Sequence, residues 1–452
     1  MGFDRGTEVD DSDDLARLRR LFLFDAVCEA GGIGQAALQS GRTQPAVSLA
    51  ISKLEASFGG RLFERGFGGS ELTAEGALVQ RRVRRMLDQM ERAVASLTGQ
   101  SAPAAANAKN DARNICRHLT DSQVRCHIAI ANAGSAAEAA QQLRISQPAV
   151  HRAARQIEQT VGVSLYRRRV HSVSANAAGI EFARCLSLAL YEIAQAREDL
   201  AYARGQLSGK VAIGVLPMLP PRLVARAIQR LRARYPAARL TVDEGSHARL
   251  LRELRNGTLD IIIGALREPR LTGAVQETEL FADPFIIAVR KGHRLAGKKT
   301  IRTQDLTGYD WVVPQRNVPR RTTIDSIFAR LQLKPTIVVE TSSLAMMMAM
   351  LVESDCITLL ARSQISEAYP GSEMVALELD TPEARRAVGY TVRADWLSTA
   401  VQEAFIELLR EECEEYEART AFSEGASSDG GEAGDSRAAR ENRKSMRRRG
   451  PA

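Results

Sequence analysis

The segment Ser146-Gln147-Pro148-Ala149-Val150 decides the fold of the N-terminal half of this chain, and a near copy, Thr43-Gln44-Pro45-Ala46-Val47, precedes it by 103 residues. The match continues without a gap over residues 31–65 and 134–168. The matched pairs include Glu55/Glu158, Gly59/Gly162, Leu62/Leu165, Arg65/Arg168 and, further on, Gly76/Gly179. Only two copies occur and each is long enough for several elements, so the sequence contains a duplicated small domain and not a solenoid.

Each copy has the pattern of a helix-turn-helix. In the second copy, residues 137–143 predict a short helix, Ser146 is the predicted N-cap of the next helix, and Pro148 lies in that helix's first turn. Apolar residues then recur at the spacing of one buried helix face. These are Val150, Ala153, Ala154 and Ile157, and their counterparts in the first copy are Val47, Ala50, Ile51 and Leu54.

The opposite face of this helix carries polar side chains that suit the DNA major groove, which accepts one helix. Gln44, Gln147, Ser48 and His151 are candidates for contacts with base edges. Lys53, Arg152 and Arg155 can reach bases or phosphates, and the candidate DNA-binding set is completed by Thr43, Arg61, Arg65, Ser146 and Arg168.

An apolar-aromatic pair and a short glycine-containing or basic loop follow the second helix of each copy and predict a small two-stranded wing. Long helices are then predicted at about 74–97 and 176–204, each acting as a tether or as a dimerising coil. The chain has therefore duplicated a complete winged helix-turn-helix together with the helix that follows it.

The run Gly134-Ser135-Ala136-Ala137-Glu138-Ala139-Ala140-Gln141-Gln142-Leu143, the segment 146–150 and the run 162–168 resemble the DNA-binding domain of LysR-type transcriptional regulators. That family has one winged helix-turn-helix, a linker helix and a C-terminal effector-binding domain. The second copy matches the family best and holds the place directly before the effector domain. The first copy departs from it, with Thr43 for the cap serine, Ser40 where an apolar residue is usual, and Leu49 where arginine is frequent.

Charge and composition agree with a DNA-binding protein. The 452 residues carry a formal net charge of +8. Residues 15–97 contain 12 basic and 8 acidic side chains and residues 109–204 contain 13 and 8, whereas residues 205–420 are nearly balanced at 29 and 27. The positive excess lies where the resemblance places DNA, although a basic balance alone does not specify nucleic acid.

Other compositional features predict a cytoplasmic protein without a cofactor or metal. The six cysteines are scattered, with no short paired spacing of the kind that binds zinc. The N-terminus is acidic and is followed by no signal-type apolar core. The longest apolar stretch, 344–352, is shorter than the ~20 residues of a membrane span, so no membrane partner is expected.

From residue 207 onward, short apolar runs alternate with amphipathic helical stretches. This alternation predicts parallel strands buried on both faces, hence an α/β domain. The layout resembles the two-lobed, periplasmic-binding-protein-like effector domain of the LysR family. The full expected fold is two mainly α winged helix-turn-helix copies plus this α/β domain, with the chain crossing between lobes near 283–284 and 385–386.

The expected boundaries follow from these assignments. They are a disordered acidic lead at 1–14, winged helix-turn-helix 1 at 15–76, linker helix 1 at 77–97, a flexible linker at 98–114, winged helix-turn-helix 2 at 115–179, linker helix 2 at 180–205, an effector domain at 209–420 and a disordered basic tail at 421–452. Lobe one of the effector domain comprises 209–282 and 386–420, and lobe two comprises 283–385.

The resemblance nominates loops of the effector cleft, beyond the carboxyl ends of the strands. In lobe one the nominated residues are Leu216, Pro217, Met218, Ser246, His247 and Ala265. In lobe two they are Arg316, Arg320, Thr322, Ser342 and Ser343. Cations ahead of a predicted helix start favour an anionic ligand such as a carboxylate or phosphate, while a solvated basic loop is the alternative. Ser342 or Ser343 can equally cap the helix that follows.

The effector domain is most similar to the subgroup around the galactose-binding-protein regulator, on the runs 216–220, 340–344 and 393–396. The first-strand loop, Leu216-Pro217-Met218-Leu219-Pro220, offers only backbone groups and apolar surface where many members have serine or threonine. A sugar ligand does not follow from this resemblance.

The sequence thus predicts a ligand-responsive bacterial transcription regulator and not an enzyme. Its expected partners are double-stranded DNA, a small-molecule effector and further copies of itself in a homodimer or homotetramer, with RNA polymerase as another candidate. The alternative is a two-lobed solute-binding protein or small-molecule enzyme, since fold does not fix function. The absent signal peptide and the two winged domains count against it.

The role of the first copy has two interpretations. Either it also contacts DNA, which we favour because Gln44, Ser48, Lys53, Arg61 and Arg65 are present, or it has become a dimerising or docking module. The second copy, joined directly to the effector domain, is expected to be the ligand-coupled reader.

Overall fold

The computed structural model describes residues 17–66, 69–99, 106–169, 172–217, 219–267, 271, 273–298, 300–316, 318–366, 373–379 and 385–429. The predicted acidic lead at 1–14 and the part of the tail after 429 lie outside these residues. The chain divides into two compact units, one formed by residues up to 210 together with 252–259 and the other by 211–251 and the residues from 260 onward. Among the described helices, none is by itself both long and apolar enough to cross a bilayer; α1 and α2, defined below, meet that criterion only as a pair bent by 118°.

The first unit contains the two copies, and each copy is three helices, an antiparallel two-stranded wing and a long helix. The first copy comprises α1 (Arg17–Ala30), α2 (Ile33–Ser40), α3 (Gln44–Phe58), β1 (Phe63–Gly66), β2 (Gly69–Leu72) and α4 (Ala74–Leu97). After α5 (Ala106–His118), the second copy comprises α6 (Asp121–Ala133), α7 (Ala136–Leu143), α8 (Gln147–Val161), β3 (Tyr166–Arg169), β4 (Ser172–Ala175) and α9 (Ala177–Ala203).

Residues that are identical in the two copies make the same contacts in each copy. Oε1 of Glu55 accepts the backbone N–H groups of Leu62 and Phe63 at 2.8 and 3.2 Å, and Glu158 does the same for Leu165 and Tyr166. Each glutamate thereby fixes the start of a wing to the recognition helix, α3 or α8.

The repeated glycine at the start of each long helix allows a close backbone approach. A Cβ on Gly76 would lie 2.1 Å from the carbonyl oxygen of Leu62, and one on Gly179 would lie 2.2 Å from that of Leu165. Only glycine lets the helix pass so near the chain leading into the wing.

The long helices α4 and α9 pack against each other in antiparallel directions. Glu75, near the start of α4, binds Arg204 just after the end of α9, whereas Arg82 and Arg85 bind Glu192 nearer the middle of α9. Buried residues of both copies form one continuous apolar core. The two copies therefore share a single folded body.

A buried ion cluster lies inside this contact. The Arg82 side chain is fully buried and donates to Asp199 at 2.8 Å and to Glu192 at 3.0 Å. Burial alone would lower the pKa of Arg82, but the hydrogen bonds and charges of these carboxylates outweigh it and raise the pKa. Removing one charged side chain from such a cluster lowers the stability of the fold strongly, because the remaining charge stays buried without its partner.

The expected flexible linker at 98–114 is corrected for residues 106–114, which belong to α5, while residues 100–105 lie outside the described part of the chain. Ala112 and Cys116 of α5 are buried in the shared core. Arg113 bridges the first copy by binding Asp25 at 2.6 Å and Glu29 at 2.9 Å in α1, with Glu91 of α4 at 3.6 Å. Helix α5 is therefore fixed to the first copy by its buried face and by the ion pairs of Arg113. The small and polar composition of this segment does not predict these contacts.

Different side chains occupy one pair of corresponding core positions in the two copies. In the first copy the rings of Phe24 and Phe63 pack with centroids 5.3 Å apart. In the second, His127 takes the place of Phe24: its Nε2–H donates to the Gly179 carbonyl at 2.9 Å, which leaves Nδ1 to accept from the Tyr166 hydroxyl at 2.7 Å. Burial lowers the pKa of His127 to about 4.

The second unit is an α/β domain with a mixed sheet. Its elements are β5 (Ser208–Val215), α10 (Pro221–Arg234), β6 (Ala237–Glu244), α11 (His247–Arg255), β7 (Ile261–Ala265), β8 (Val275–Arg290), β9 (Thr300–Ile301), β10 (Asp310–Val313), α12 (Pro319–Arg330), β11 (Thr336–Glu340), α13 (Leu344–Glu353), β12 (Thr358–Ala361), α14 (Ser363–Ser366), β13 (Met374–Leu379), β14 (Arg385–Arg393) and α15 (Ala400–Asp429). A 3-10 turn at Thr303–Leu306 precedes β10. The first residues of β5 (208–210) and the last residues of α11 (252–255) are grouped with the first unit. Because α15 continues to Asp429, the expected disordered tail beginning at 421 is corrected.

The sheet is mixed, which corrects the expectation of parallel strands. Strands β5 and β7 pair in parallel, but β14 pairs antiparallel with β7 and β8, and β8 pairs antiparallel with β12 and β13. Strand β8 covers residues 275–290, although only residues 285–289 form a continuous apolar run, because its first half alternates polar and apolar residues.

Strand β8 contributes to three apolar clusters of this unit, one of them formed with α13. Phe281 belongs to the core built on β5, β7, β14 and α15, and Phe285 belongs to the core built around β10, β12 and α12. Asp283 lies between them, fully buried, and accepts hydrogen bonds from Ser363 and from Arg386. Arg386 pairs with Asp283 across the β8–β14 ladder, so the two crossing strands are joined where the cores meet.

Replacing Arg82 with methionine should lower the free energy of unfolding by about 3 to 5 kcal/mol, because Glu192 and Asp199 would stay buried without their main cation. Urea denaturation of the full chain, followed by helix content, measures the loss. Arg81→Met is the matched control, since Arg81 is 54% exposed and 3.9 Å from Asp199 and should change stability by less than about 1 kcal/mol. Equal losses in the two variants would contradict a special role for the buried cluster.

Stability should fall as the pH drops from about 6.5 to about 4, because the unfolded chain binds a proton at His127 that the folded chain excludes. The contribution is fully present above pH ~6.5 and amounts to about 3 kcal/mol over this window. The double variant H127F/Y166F, which copies the Phe24–Phe63 pair, should lose this part of the pH dependence in denaturation experiments. The exposed His118→Gln is the control, and an unchanged pH profile in the double variant would contradict the assignment.

Candidate nucleic-acid interface and ligand cleft

The two recognition helices present the predicted polar faces to solvent. In α8 the predicted stripe Val150, Ala153, Ala154 and Ile157 is buried. Gln147, Arg152 and Arg155 are exposed and His151 is partly exposed, with its Nε2 3.4 Å from the Gln147 amide nitrogen. In α3, Val47, Ile51 and Leu54 are buried, Ala50 is half-buried, and Gln44, Ser48 and Lys53 are exposed.

Neither predicted cap residue caps its helix through its side chain. Thr43 and Ser146 occupy the N-cap positions with extended backbone, but their hydroxyls make no capping hydrogen bond. In each helix the second residue after the cap is proline, which has no N–H. The amide of the residue after that proline, Ala46 in α3 and Ala149 in α8, donates to the backbone carbonyl of the cap residue. Both hydroxyls therefore stay on the exposed surface, beside Gln44 and Gln147.

The wing residues are only partly described. Arg61 is exposed just before β1. Arg65 lies in β1 and Arg168 in β3, but their side chains lie outside the described residues. Arg167, which was not among the predicted site residues, is exposed on β3 and adds a cation to the second wing.

The first-lobe candidates follow the ends of neighbouring strands. The Leu216 N–H donates to the Ile263 carbonyl at 2.9 Å and its side chain covers Gly264, so the ends of β5 and β7 meet. Pro217 and Ser246 are exposed, His247 and Ala265 are half-buried, and Met218 lies outside the described residues. The Ser246 hydroxyl accepts from the Arg249 N–H at 3.4 Å and so begins α11.

The arginines of the second lobe differ from the expectation of a cationic loop ahead of a helix. Helix α12 begins at Pro319, so Arg320, Arg321 and exposed Thr322 lie inside its first turns. Arg320 donates to the Leu359 carbonyl and to Gln364, and burial together with the neighbouring Arg386 lowers its pKa to about 9. Arg321 donates to Pro314, Asp325 and Glu340. Both act as internal braces.

Arg316 differs from these two braces. Its side chain is 81% exposed at the loop that follows β10, and its nearest carboxylate, Glu340, is 3.6 Å away. The loop after the neighbouring parallel strand β11 contains Ser342 and Ser343. Ser343 caps α13 by accepting from the Met346 N–H at 3.3 Å. The Ser342 hydroxyl oxygen is buried, and among the described residues it has no hydrogen-bond partner.

Sequence reasoning missed the polar network at the strand crossing, formed by Asp283, Ser363 and Arg386. The signal in the sequence was a single aspartate before Pro284 in an otherwise apolar stretch. No group of three or more histidine, cysteine or acidic side chains suited to a metal ion occurs in the described part of the chain.

Comparisons with known proteins identify both parts of the chain. The model of the LysR substrate binding domain matches residues 204–414. The model described as bacterial regulatory helix-turn-helix protein, lysR family, matches twice, over residues 18–77 and 122–180.

Individual relatives agree with these matches. The HTH-type transcriptional regulator GalR of Pseudomonas putida is 28% identical over 400 residues, which cover 88% of this chain and 98% of the relative. An alignment of that extent cannot fit within residues 106–452, so it extends into the first copy. The HTH-type transcriptional regulator GbpR of Rhizobium radiobacter is 29% identical over 244 residues, 53% of this chain and 81% of its own.

The solved structure of full-length OxyR C199D from Pseudomonas aeruginosa shares the fold, with a TM-score of 0.50 and 22% identity. It covers 66% of this chain and 95% of its own length.

Proposed function

Given that the chain belongs to the LysR family and is a DNA-binding transcription regulator with a substrate-binding domain, we propose that its specific DNA contacts come chiefly from α8. The observation that carries this proposal is the division of α8 into a buried apolar stripe and an exposed face with Gln147, His151, Arg152 and Arg155. Amide and guanidinium groups recognise adenine and guanine edges in the major groove. We assign phosphate contacts to the exposed Ser146 hydroxyl and to the exposed Arg167 of the wing, since hydroxyl and guanidinium groups bind phosphate oxygens.

The first copy takes part in this recognition through Gln44, Ser48 and Lys53 of α3, with Thr43, Arg61 and Arg65 beside them. It shares one core with the second copy, so it is a fixed part of the DNA-binding unit. The protein acts in the bacterial cytoplasm, as a homodimer or homotetramer, and its output passes to RNA polymerase. It has no catalytic activity of its own, in keeping with relatives that are named as regulators.

The effector is a small anionic molecule that binds where the strand-end loops of the second unit contain Arg316 and Ser342. The exposed guanidinium supplies a cation, and the buried Ser342 oxygen supplies a polar group that a ligand can satisfy. Leu216 and Pro217 supply apolar surface. Ser246, His247, Ala265 and Ser343 lie at strand ends or helix starts, and Thr322 lies in the first turn of α12. Binding favours one arrangement of the two lobes and so shifts the population of DNA-binding states.

Arg152→Ala should weaken operator binding by about 1 to 3 kcal/mol and relax specificity at one base position. Fluorescence anisotropy with the operator and with single-base variants measures both effects at fixed salt. Gln159→Ala is the control, because Gln159 is exposed near the C-terminal end of the same helix, and it should keep wild-type affinity. A uniform loss across all sequences would assign Arg152 to a phosphate, and an unchanged affinity would remove it from the interface.

Arg316→Ala should abolish the rise in melting temperature that carboxylate or phosphate ligands produce in the full chain, since the exposed cation of the proposed site is lost. A panel of small dicarboxylates, aromatic carboxylates and sugar phosphates, read by differential scanning fluorimetry, provides the measurement. Arg294→Ala, another exposed arginine of the same lobe, should respond as the wild type does. If every ligand that stabilises the wild type stabilises the Arg316 variant equally, the anion site lies elsewhere.

A further inference from the structure

We propose that a single chain reads two different DNA half-sites, one through the basic face of α8 and the other through the apolar and hydroxyl-bearing face of α3, with Leu49 contacting thymine methyl groups. This inference rests on the proposed function of α8 and extends it to the site that the first copy recognises. A chain whose two winged helix-turn-helix copies are fixed relative to each other and carry different recognition helices binds an operator whose two half-sites differ in sequence.

The two copies are related by an approximate local two-fold axis. The backbone N–H of Leu18 donates to the carboxylate of Asp121 at 3.2 Å, and these two residues are exactly equivalent in the repeat, 103 positions apart. Equivalent residues touch one another near a rotation axis, as in the isologous contact of a symmetric dimer. The antiparallel packing of α4 against α9 obeys the same symmetry.

Three contacts fix the heads in this arrangement. Arg82 is buried between Glu192 and Asp199, Arg113 joins α5 to α1 and α4, and Arg204 binds Glu75 and the Phe58 carbonyl at the end of α3. Helix-turn-helix dimers place their two recognition helices in successive major grooves, ~34 Å apart or a multiple of it. Here the corresponding pair of helices belongs to one polypeptide.

The two recognition faces differ at equivalent positions. Arg152 of α8 is replaced by Leu49 in α3, and Arg155 is replaced by Ser52. Leu49 is 57% exposed although it is a large apolar side chain on the outward face, between exposed Ser48 and the other exposed residues of that helix. An apolar side chain in the major groove contacts the thymine methyl group, whereas arginine contacts guanine. The half-site of α3 is therefore expected to contain thymines where that of α8 contains guanines.

The test uses the full chain and a duplex enriched from a random-sequence library by that chain. Native mass spectrometry gives the number of chains bound, and hydroxyl-radical footprinting gives the number of protected segments. We expect two protected segments of different sequence for every chain bound. Leu49→Ala should lose protection of one segment, and Arg152→Ala should lose protection of the other.

Replacing thymine with deoxyuridine in the Leu49 segment removes only the methyl group. This change should reduce wild-type affinity about fourfold for each contacted methyl, the value of one buried methylene-sized group, and should leave the Leu49→Ala variant unaffected. Leu38→Ala is the matched control, because Leu38 is 79% exposed on α2, outside the recognition helix, and it should behave as the wild type does.

One protected segment per chain would overturn the proposal. A wild-type affinity that does not change when deoxyuridine replaces thymine would overturn it as well. In either case Leu38 and Leu49 would form a surface for a protein partner instead. Failure of the proposed function has a separate signature: no duplex is enriched, or Arg152→Ala leaves every protected segment unchanged.

Discussion

The first unit depends on the antiparallel contact between α4 and α9, with the Arg82 guanidinium buried between Glu192 and Asp199. Neither winged domain has a core that closes on itself, because the inner faces of both long helices are apolar and must be covered. In this chain each covers the other. The buried ions then restrict how the helices can slide, since a shift along either axis would separate the arginine from its carboxylates in a water-poor contact. Fixing two heads relative to each other is thus a consequence of burying them together.

Much of this unit could be predicted from the repeat, because each shared residue has a local task. Glu55 and Glu158 bind wing amides, Gly76 and Gly179 allow a close backbone approach, and the spacing of the apolar residues in α8 defines its buried face. The pairing of the copies could not be predicted, because its ions have no counterparts in the repeat: the position of Arg82 is Cys185 in the second copy. The helix α5 was missed for a similar reason, since its main anchor, Arg113, has partners 84 and 88 residues away.

In the second unit, the spacing of apolar residues predicted most strands and helices. The roles of the charged side chains could not be predicted in the same way. A cluster of arginines near a helix start predicts an anion site, yet two of the three turn inward to carbonyls and carboxylates and brace α12. The difference lies in where the helix begins. Because Pro319 opens it, Arg320 and Arg321 fall on turns that face protein, while Arg316 stays on the loop. Only the second half of β8 gives a continuous apolar run, because alternate residues there pack into two different clusters, whereas its first half alternates polar and apolar residues.

The end of α9 bears on which head responds to a ligand. Sequence order assigns this role to the second copy, which continues directly through α9 into β5. However, Arg204, the residue after α9, donates to Glu75 at 2.7 and 2.6 Å and to the Phe58 carbonyl at 2.9 Å, both in the first copy. Gly60 leaves room for this ion pair, since a Cβ there would lie 2.5 Å from the guanidinium. Only three residues separate Arg204 from β5. The residue at this short connection is therefore attached to the second copy through α9 and to the first copy through its own side chain. Because both copies share one buried core, the end of α9 is joined to the two copies as a single body, and sequence order does not single out the second copy as the one that responds.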